Sequence, residues 1–473
     1  MNLEKNTISS NVQSIHLTAV CGTGMGALAC MLKDLGFGVT GSDNAVYPPM
    51  STFLEKKGIQ VFNGFDPKNL AHRPDLVVVG NAVRRDNPEA VAMREMGLHF
   101  CSMPQALNHF VAKGKKVILV AGTHGKTTTS SIAAWVLTEA GLNPSFFIGG
   151  ILTNFDSNYR LGRGDYIVIE GDEYDTAYFD KGPKFLHFDP HAAILTGIEF
   201  DHADIFRDLD HVTEAFDRLV SRVSVDHTLV AHDDNTIVDR LVAKAPCRVK
   251  RYGRKETSSW RLGGISVKPP DTDFEVQKEQ KHYGWFKTRL VGEHNLSNLL
   301  SVIAVADGLD IPVEKTRAAV FSFSGVKRRQ EVRGVKNGIT VMDDFAHHPT
   351  AVRETIRAVK PFYPDGRLIA VFEPRTNTSM RSVFQAVYPE SFDEADIICI
   401  RKPPLLNKIP EGERFSSEKL TTALKKKGKD AHYFEDTDAI IDFLCQNAVQ
   451  NDLILIMSNG GFDNIHEKLL KKL

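Results

Sequence analysis

Short runs of aliphatic and β-branched residues recur along the chain, and several are followed by a glycine-containing turn and a helical spacing of apolar positions. Runs of this kind lie at 15–20, 117–121 and 453–457. Continuous apolar runs bounded by turns are typical of strands buried in a parallel sheet, and their alternation with helices is typical of α/β proteins. The pattern therefore predicts an α/β fold built from three successive blocks.

The first block opens with the strand 15–20, and its helix follows the glycine turn and ends at Gly36. The second opens with the strand 115–121, and a helix runs from Lys126 to a stop at Gly141. Further strands of these two blocks are predicted at 39–41, 76–79, 166–169 and 192–195. A polar stretch at 257–282 fits either an antiparallel edge or an insertion, and a helix at about 295–307 closes the second block.

The third block begins near Val326, and helices are predicted after Pro349 and Gly461. Its strands are predicted at 339–342, 368–372, 397–400 and 453–457. We place the domain boundaries near residues 110 and 327. The predicted domains are therefore 1–110, 111–327 and 328–473.

Composition and charge exclude several classes of protein. The chain has 473 residues, of which 42% are hydrophobic and 25% charged, as in soluble globular proteins. Its 58 basic and 59 acidic residues give a net charge of -1, so nothing predicts a nucleic-acid partner. The longest apolar runs are far shorter than the ~20 residues of a membrane helix, and residues 1–14 show no signal core. Six cysteines without a C-x-x-C pair fit reduced thiols, so we expect a cytoplasmic protein without membrane insertion.

The strongest chemical signal is the turn 122–129, Gly-Thr-His-Gly-Lys-Thr-Thr-Thr, between a buried strand and a helix. Glycines let backbone N–H groups approach phosphate oxygens, and a helix N-terminus favours an anion. Lys126 supplies a cation and Thr127 a hydroxyl for magnesium, although the spacing departs from the usual P-loop at Val120. The sequence therefore predicts a nucleoside triphosphate site formed by Gly122, Thr123, His124, Gly125, Lys126, Thr127 and Thr128.

A first glycine loop, 22–26, also joins a strand to a helix, and Asp43 follows the next strand, 21 residues beyond Gly22. This arrangement is typical of a site that binds a dinucleotide cofactor or another diphosphate carrying a sugar, such as a UDP-sugar. It is also typical of tight strand–helix packing without a ligand. The residues that would bind the ligand are Gly22, Thr23, Gly24, Met25, Gly26 and Asp43.

Acidic residues follow two predicted strands, at 170–173 and 199–201, and His202 ends the second group. Ligands bind at the carboxyl edge of parallel sheets, and hard oxygen donors suit magnesium. Two metal ions are compatible with this pattern, one held by Thr127 and Glu173 and the other by His202. Solvated acidic loop ends are the alternative.

Three further segments each allow two interpretations of their role. Asn295 and Asn298 begin a helix, where amides read an adenine edge or cap the helix. Arg329 ends a basic triplet that fits either phosphate binding or surface charge. The segment 343–349, Asp-Asp-Phe-Ala-His-His-Pro, joins a strand to a helix, and its histidines fit ligands or helix caps.

Together these segments resemble the Mur ligase family of cytoplasmic, ATP-dependent, amide-bond-forming enzymes of peptidoglycan metabolism. The shared motifs cover nearly the whole chain: G-x-G-M-G, G-T-H-G-K-T-T-T, E-x-D-E, E-x-D-H, G-x-H-N-x-x-N, G-V-K-R-R and D-D-F-A-H-H-P. The resemblance implies a Rossmann-like N-terminal domain, a central P-loop ATPase-like domain and a Rossmann-like C-terminal domain. It also implies ATP and Mg²⁺ as cofactors and small molecules as substrates, and it leaves the oligomeric state open.

The first glycine loop and the paired histidines resemble the branch of the family that uses UDP-N-acetylmuramate as the carboxyl donor. Stretches at 47–52, 80–83, 372–378 and 458–462 resemble its members that add the tripeptide L-Ala-γ-D-Glu-meso-diaminopimelate during cell-wall recycling. The resemblance implies that the donor carboxylate attacks ATP, which gives an acyl phosphate, and that the peptide amine displaces phosphate. A ligase that adds L-alanine is the alternative acceptor prediction, and the third peptide residue is diaminopimelate or lysine.

Two alternative predictions belong to other functional classes of protein. An NAD-dependent oxidoreductase would use the first glycine loop but leaves 122–129 unexplained. A regulatory P-loop ATPase would use 122–129 without ligase activity.

The resemblance assigns roles to individual residues. Catalytic roles are implied for Lys126, Glu173, His202, Arg329, Asp344, His347 and His348. ATP would be bound by the 122–128 loop together with Asn295, Asn298, Arg329 and Asp344. The metal ligands would be Thr127, Glu173 and His202. The substrates would be bound by the first glycine loop with Ser42 and Asp43, and on the acceptor side by Arg375 and Asn377.

Overall fold

The computed structural model describes residues 3–46 and 50–473, which form three large sheets and a two-stranded hairpin. The α/β class and the three-block organisation are confirmed. Residues 47–49, which belong to the 47–52 stretch of the acceptor prediction, lie outside the described residues. The domain boundaries near 110 and 327 stay a prediction.

The N-terminal sheet is parallel, in the order β3-β2-β1-β4-β5. Its strands are β1 (Ser14–Thr18), β2 (Gly38–Asp43), β3 (Gln60–Asn63), β4 (Leu76–Val79) and β5 (Phe100–Ser102). Its helices are α1 (Thr23–Asp34), α2 (Met50–Lys56), α3 (Pro88–Glu95) and α4 (Met103–Leu107). The strand order reverses beside β1, which places the first glycine loop where ligands bind such sheets.

The central sheet has ten strands, in the order β17-β16-β15-β14-β13-β12-β6-β9-β7-β8. Its strands are β6 (Lys116–Ala121), β7 (Ser145–Leu152), β8 (Ser157–Arg160), β9 (Tyr166–Gly171), β12 (Pro190–Leu195), β13 (Thr228–His232), β14 (Arg248–Gly253), β15 (Trp260–Lys268), β16 (Asp271–Lys278) and β17 (Lys281–Thr288), and the hairpin is β10 (Asp175–Ala177) with β11 (Asp180–Pro183). Its helices are α5 (Lys126–Glu139), α6 (Leu209–Arg222), α7 (Thr236–Val242), α8 (Glu293–Gly308) and α9 (Val313–Ser322).

Three adjacent parallel strands, β12, β6 and β9, lie in the middle of the central sheet. Their carboxyl ends meet at one edge, which brings the 122–128 loop together with the acidic segments after β9 and β12. The polar stretch at 257–282 forms part of the antiparallel β15–β17, so the edge alternative is correct. In β16 buried Phe274 and Val276 alternate with more polar positions, which explains the polar composition.

The C-terminal sheet has the order β18-β19-β23-β20-β21-β22, and only its first described pair is antiparallel. Its strands are β18 (Glu331–Lys336), β19 (Ile339–Asp344), β20 (Leu368–Phe372), β21 (Ile397–Arg401), β22 (Asp430–Phe434) and β23 (Leu453–Met457). Its helices are α10 (Pro349–Val359), α11 (Ser417–Lys426), α12 (Thr437–Asn447) and α13 (Ile465–Lys472).

Helix α10 positions the paired histidines. Val352, Ile356 and Val359 follow a helical spacing and are fully buried against the sheet. Burial of each such side chain contributes about 1.5–3 kcal/mol, which fixes the helix start at the domain interface. His348 caps that start, since its Nδ1 accepts from the Thr350 amide at 3.3 Å. Of the two predicted alternatives for His348, a ligand or a helix cap, the helix cap is the one that its local hydrogen bond shows.

Among the described residues, none of the helices combines the length and the apolar content needed to cross a membrane.

Candidate active site

The loop at 122–128 joins β6 to α5 in a conformation that requires glycine. Gly122 and Gly125 have φ angles of +133° and +77°. A Cβ on Gly122 would lie 2.2 Å from the Thr196 hydroxyl oxygen, so no larger residue fits there. No described side chain caps α5 at Gly125, which leaves the helix N-terminus to an anion.

Lys126 and Glu173 form a buried ion pair at this edge. The Lys126 Nζ lies 2.7 Å from Glu173 Oε2 and also donates to the Gly122 carbonyl at 2.6 Å. Burial opposes the charge of Lys126, but Glu173 and the neighbouring carboxylates raise its pKa overall. The ammonium group therefore stays charged where a phosphate would approach.

Asp172, Glu173 and His202 bring ligand atoms within 4.8 Å of one another. His202 Nε2 lies 3.4 Å from Glu173 Oε1, and that oxygen is buried without a hydrogen-bond partner among the described residues. Burial lowers the pKa of His202, whereas Glu173 and Asp201 raise it more. An orphaned carboxylate oxygen beside hard oxygen donors fits a magnesium ion, and Asp172 joins Glu173 and His202, two of the three ligands predicted from the sequence.

Thr127 contacts a different carboxylate from the one predicted to share its metal. Its hydroxyl donates to Glu170 Oε1 at 2.9 Å, and Glu170 Oε2 accepts from the Gly149 amide at 2.7 Å. Glu170 is therefore a candidate site residue that our sequence assignment omitted. Its position in the E-x-D-E motif, at the end of β9, was the available signal.

Arg329 reaches the phosphate loop from the C-terminal part of the chain. Its guanidinium lies 3.5 Å from the Thr127 hydroxyl and 4.6 Å from the Phe345 ring centroid. Asp344 is 4% exposed and accepts from the Gln330 and Ala346 amides at 2.8 and 2.7 Å. Burial raises the pKa of Asp344, while Arg329 opposes that rise. The structure thus holds Arg329 beside Thr127, as in a closed arrangement of the two domains.

Asn295 and Asn298 lie beside the phosphate loop but bond within the protein. The Asn298 side chain donates to Asn295 Oδ1 at 3.3 Å and packs so tightly on Gly125 that a Cβ there would lie 2.6 Å from its oxygen. Asn295 donates to the Val291 carbonyl at 2.9 Å. Both amides support the loop and the helix start, and their contact with adenine stays a prediction.

A cavity of about 690 Å³ runs from the first glycine loop to Glu170, whose carboxylate accepts from Thr127 of the phosphate loop. It is lined by Gly22, Thr23, Gly24, Met25 and Asp43 from the N-terminal sheet and by Gly149, Glu170 and Asp172 from the central sheet. Asp43 accepts from the Cys21 and Ala45 amides, each at 2.9 Å, and so braces the loop. A ligand seated on the loop would extend directly to the carboxylates beside Thr127.

Of the residues predicted to bind the donor, Gly26 and Ser42 are not among those that line this cavity. The Ser42 side chain is fully buried, and its hydroxyl donates to Glu89 at 2.6 Å. Gly26 packs against α2, where a Cβ would lie 2.5 Å from the terminal methyl of Met50. Through these contacts both residues support the loop, and their direct contact with the donor stays a prediction.

The paired histidines face the loop that follows β12. His348 Nε2 lies 3.2 Å from the Phe200 carbonyl, and His347 Nε2 lies 3.8 Å from Asp201 Oδ2. Burial, reinforced by the charge of His124, lowers the pKa of His348 to about 4. Burial alone would raise the pKa of Asp201, but His347 and His202 hold it well below its usual range.

Arg375 and Asn377, the two residues predicted to bind the acceptor, contact different parts of the protein. Arg375 is 3.6 Å from Glu373 Oε1 and packs against Gly460, so the 458–462 stretch is its neighbour. Glu373 is fully buried, pairs with Arg401 and accepts from the Ser458 hydroxyl at 2.7 Å. Asn377 instead donates to Asp204 of the central domain at 2.9 Å.

Sequence profiles of known families match three consecutive parts of the chain. The profile of the Mur ligase family catalytic domain matches residues 14–115, the middle-domain profile matches 120–306, and the glutamate ligase domain profile matches 328–460. The chain belongs to the Mur ligase family. It is an ATP-dependent, amide-bond-forming ligase, which excludes the oxidoreductase and regulatory ATPase alternatives.

Named relatives refine this family assignment. The UDP-N-acetylmuramate–L-alanyl-γ-D-glutamyl-meso-2,6-diaminoheptandioate ligase of Escherichia coli K12 is 40% identical, over 96% of this chain and 97% of its own. The Haemophilus influenzae enzyme of the same name is 37% identical, over 98% and 99%. The UDP-N-acetylmuramate–L-alanine ligase of Myxococcus xanthus is 33% identical, over 97% and 95%.

Solved structures agree with the fold. A murein peptide ligase from Psychrobacter arcticus superposes with a TM-score of 0.74 at 36% identity, over 97% of this chain and 98% of that one. A UDP-N-acetylmuramate–alanine ligase from Thermotoga maritima gives a TM-score of 0.80 at 25% identity, with the same coverage. The peptide ligases and the L-alanine ligases share this fold, whereas the sequence identity of this chain is higher with the peptide ligases.

Proposed function

We propose that this ligase joins UDP-N-acetylmuramate to L-alanyl-γ-D-glutamyl-meso-diaminopimelate in cell-wall peptide recycling. The cavity that runs from the first glycine loop to Glu170 and Asp172 carries the proposal, because it would place a donor carboxylate beside Glu170, the residue that contacts Thr127 of the phosphate loop. The relatives with this activity in their names, at 40% and 37% identity, support the tripeptide as acceptor. We place the reaction in the cytoplasm, where ATP and UDP-linked sugars are available.

The proposed roles follow the three sheets. UDP-N-acetylmuramate binds the first glycine loop and Asp43, ATP binds the 122–128 loop with its adenine near Asn295 and Asn298, and the peptide binds the C-terminal domain near Arg375. Lys126 and Arg329 approach the phosphate site from opposite domains, and Asp344 orients the segment that carries Arg329.

Mg²⁺ is the proposed metal, with Asp172, Glu173 and His202 as ligands and Thr127 nearby. When bound it would neutralise phosphate charge, which matters because the first step brings two anions together. The buried Glu173 oxygen without a described partner supports this assignment.

The chemistry has two steps. The donor carboxylate oxygen attacks the γ-phosphorus and ADP leaves, which gives an acyl phosphate; the neutral peptide amine then attacks the acyl carbon, and inorganic phosphate leaves. Lys126 and Arg329 stabilise the charge of the transferring phosphoryl group. Closure of the C-terminal domain over the loop protects the acyl phosphate from water.

The amine loses a proton during attack, and His347 is the better candidate to accept it. His348 has a lowered pKa of about 4, which makes it a weak base. His347 Nε2 lies 3.8 Å from Asp201 Oδ2, a carboxylate placed to orient its ring.

Phosphate release with matched acceptors tests the proposal. The enzyme, ATP, Mg²⁺ and UDP-N-acetylmuramate are incubated with the diaminopimelate tripeptide, with the corresponding lysine tripeptide, or with L-alanine. We expect the fastest turnover with the diaminopimelate tripeptide. Efficient turnover with L-alanine alone would instead assign the de novo activity, and phosphate release without UDP-N-acetylmuramate would contradict the ligase mechanism.

A further inference from the structure

A second cluster of ligand-type side chains lies on the other side of the phosphate loop. His124 of that loop, Glu199 after β12 and His348 at the start of α10 bring ligand atoms within 4.8 Å of one another. We call these three residues the His124 cluster. Two of them belong to loops of the central domain and one to the C-terminal domain, so the cluster spans the domain interface.

Two of the three spacings within the cluster are close to those of a metal polyhedron. Glu199 Oε2 lies 3.5 Å from His124 Nε2 and 3.6 Å from His348 Nδ1. Around a tetrahedral ion with bonds of about 2.0–2.1 Å, neighbouring ligand atoms lie about 3.3–3.4 Å apart. His124 Nε2 is moreover a buried atom without a hydrogen-bond partner among the described residues.

The surrounding groups orient the ligands as they do in metal sites. His348 Nε2 lies 3.2 Å from the Phe200 carbonyl, which places its proton there and leaves a lone pair on Nδ1. The Thr350 hydroxyl donates to Glu199 Oε2 at 2.7 Å and fixes the carboxylate. A metal at Nδ1 would replace only the long contact of 3.3 Å from the Thr350 amide.

We propose that His124, Glu199 and His348 form a transition-metal site, distinct from the magnesium ligands Asp172, Glu173 and His202. Two imidazoles and one carboxylate suit Zn²⁺, with Co²⁺ and Mn²⁺ as weaker substitutes, rather than Mg²⁺. A fourth position would hold water or a ligand oxygen. Because His348 comes from the C-terminal domain, a bound ion would hold that domain on the phosphate loop. The inference does not depend on the proposed acceptor.

Cobalt binding to the full chain tests the site without reference to activity. Co²⁺ is titrated without nucleotide, its visible absorption reports four-coordinate geometry, and Zn²⁺ is used to displace it. His202→Ala disables the magnesium cluster and isolates the proposed site. His347→Ala is the matched control, because it removes the neighbouring imidazole, which lies outside the His124 cluster.

We expect the wild type, His202→Ala and His347→Ala to show the four-coordinate spectrum. We expect His348→Ala and Glu199→Gln each to weaken binding by about 100-fold or more, since even supporting residues of metal sites cost about 10–100-fold. Loss of the four-coordinate spectrum in His202→Ala, or unchanged affinity in His348→Ala and Glu199→Gln, would overturn the proposal and leave a His124–Glu199 ion pair. If one of these two variants fails to fold, the other and the His202→Ala spectrum still decide.

Discussion

Replacement of Lys126 by alanine separates phosphate chemistry from donor binding. Lys126 and Glu173 pair at 2.7 Å with side chains only 11% and 3% exposed. Lys126 is not among the described residues that line the donor cavity. We therefore expect Lys126→Ala to lose ligation and ATP affinity while UDP-N-acetylmuramate affinity stays nearly unchanged.

The Lys126–Glu173 ion pair sets the expected size of two effects of Lys126→Ala, the loss in kcat and the loss of stability. Loss of one preorganised charge at the transferring group lowers kcat by at least about 10²–10³-fold. Breaking a buried pair leaves the Glu173 carboxylate without its ammonium partner and costs about 3–5 kcal/mol of stability. For a domain of the size of the central one, this lowers its unfolding midpoint by about 6 °C or more.

The assay combines phosphate release, calorimetric binding of UDP-N-acetylmuramate and thermal unfolding. Adding Glu173→Gln to Lys126→Ala removes the carboxylate charge, so stability should recover while activity does not. Lys181→Ala is the matched control, because Lys181 also pairs with a carboxylate, Asp175 at 2.8 Å, but is 67% exposed. Such an exposed pair contributes little to stability. If Lys126→Ala loses donor affinity as severely as ATP affinity, the division into separate sites is wrong.

Three further outcomes are expected. Arg329→Lys should not restore the activity that Arg329→Ala loses, about 10²-fold or more in kcat, because lysine cannot reproduce the planar contacts with Phe345 and Thr127; steady-state kinetics check this. Asp43→Ala removes two hydrogen bonds to backbone amides, and since each bond to a charged group contributes about 1.5–3 kcal/mol, calorimetry should show donor affinity reduced by at least about tenfold with ATP affinity retained. Burial lowers the pKa of His294 from 6.5 to about 4. Between these two pH values the unfolded chain therefore binds a proton that the folded chain does not. The contribution of His294 to the free energy of unfolding is fully present above about pH 6.5, and it falls by up to about 1.4 kcal/mol per pH unit below that pH. Unfolding of His294→Asn should show a smaller loss between about pH 7 and about pH 5.

The sequence predicts what is local in this fold. The strands β4, β20 and β23 follow from continuous apolar runs, and the phosphate loop follows from glycines next to a lysine at a helix start. Short strands such as β3 and β5 were missed because their few residues carry too little pattern.

Contacts between distant segments could not be predicted from local patterns. The bond from Thr127 to Glu170 and the meeting of His124 with His348 depend on how three sheets pack. Ser42 lies near the end of β2 beside Asp43, but its hydroxyl donates to the buried carboxylate of Glu89, which lies far along the chain. Such pairings are set by tertiary packing rather than by spacing.

The proposed mechanism requires ATP on the 122–128 loop and a donor carboxylate that reaches it from the first glycine loop. A crystal structure with a nonhydrolysable ATP analogue, Mg²⁺ and UDP-N-acetylmuramate would show both positions at once. We expect the triphosphate on the 122–128 loop, between Lys126 and Arg329, and the uridine diphosphate beside Gly22 and Asp43. A triphosphate seated on the first glycine loop, with no nucleotide at 122–128, would contradict the mechanism.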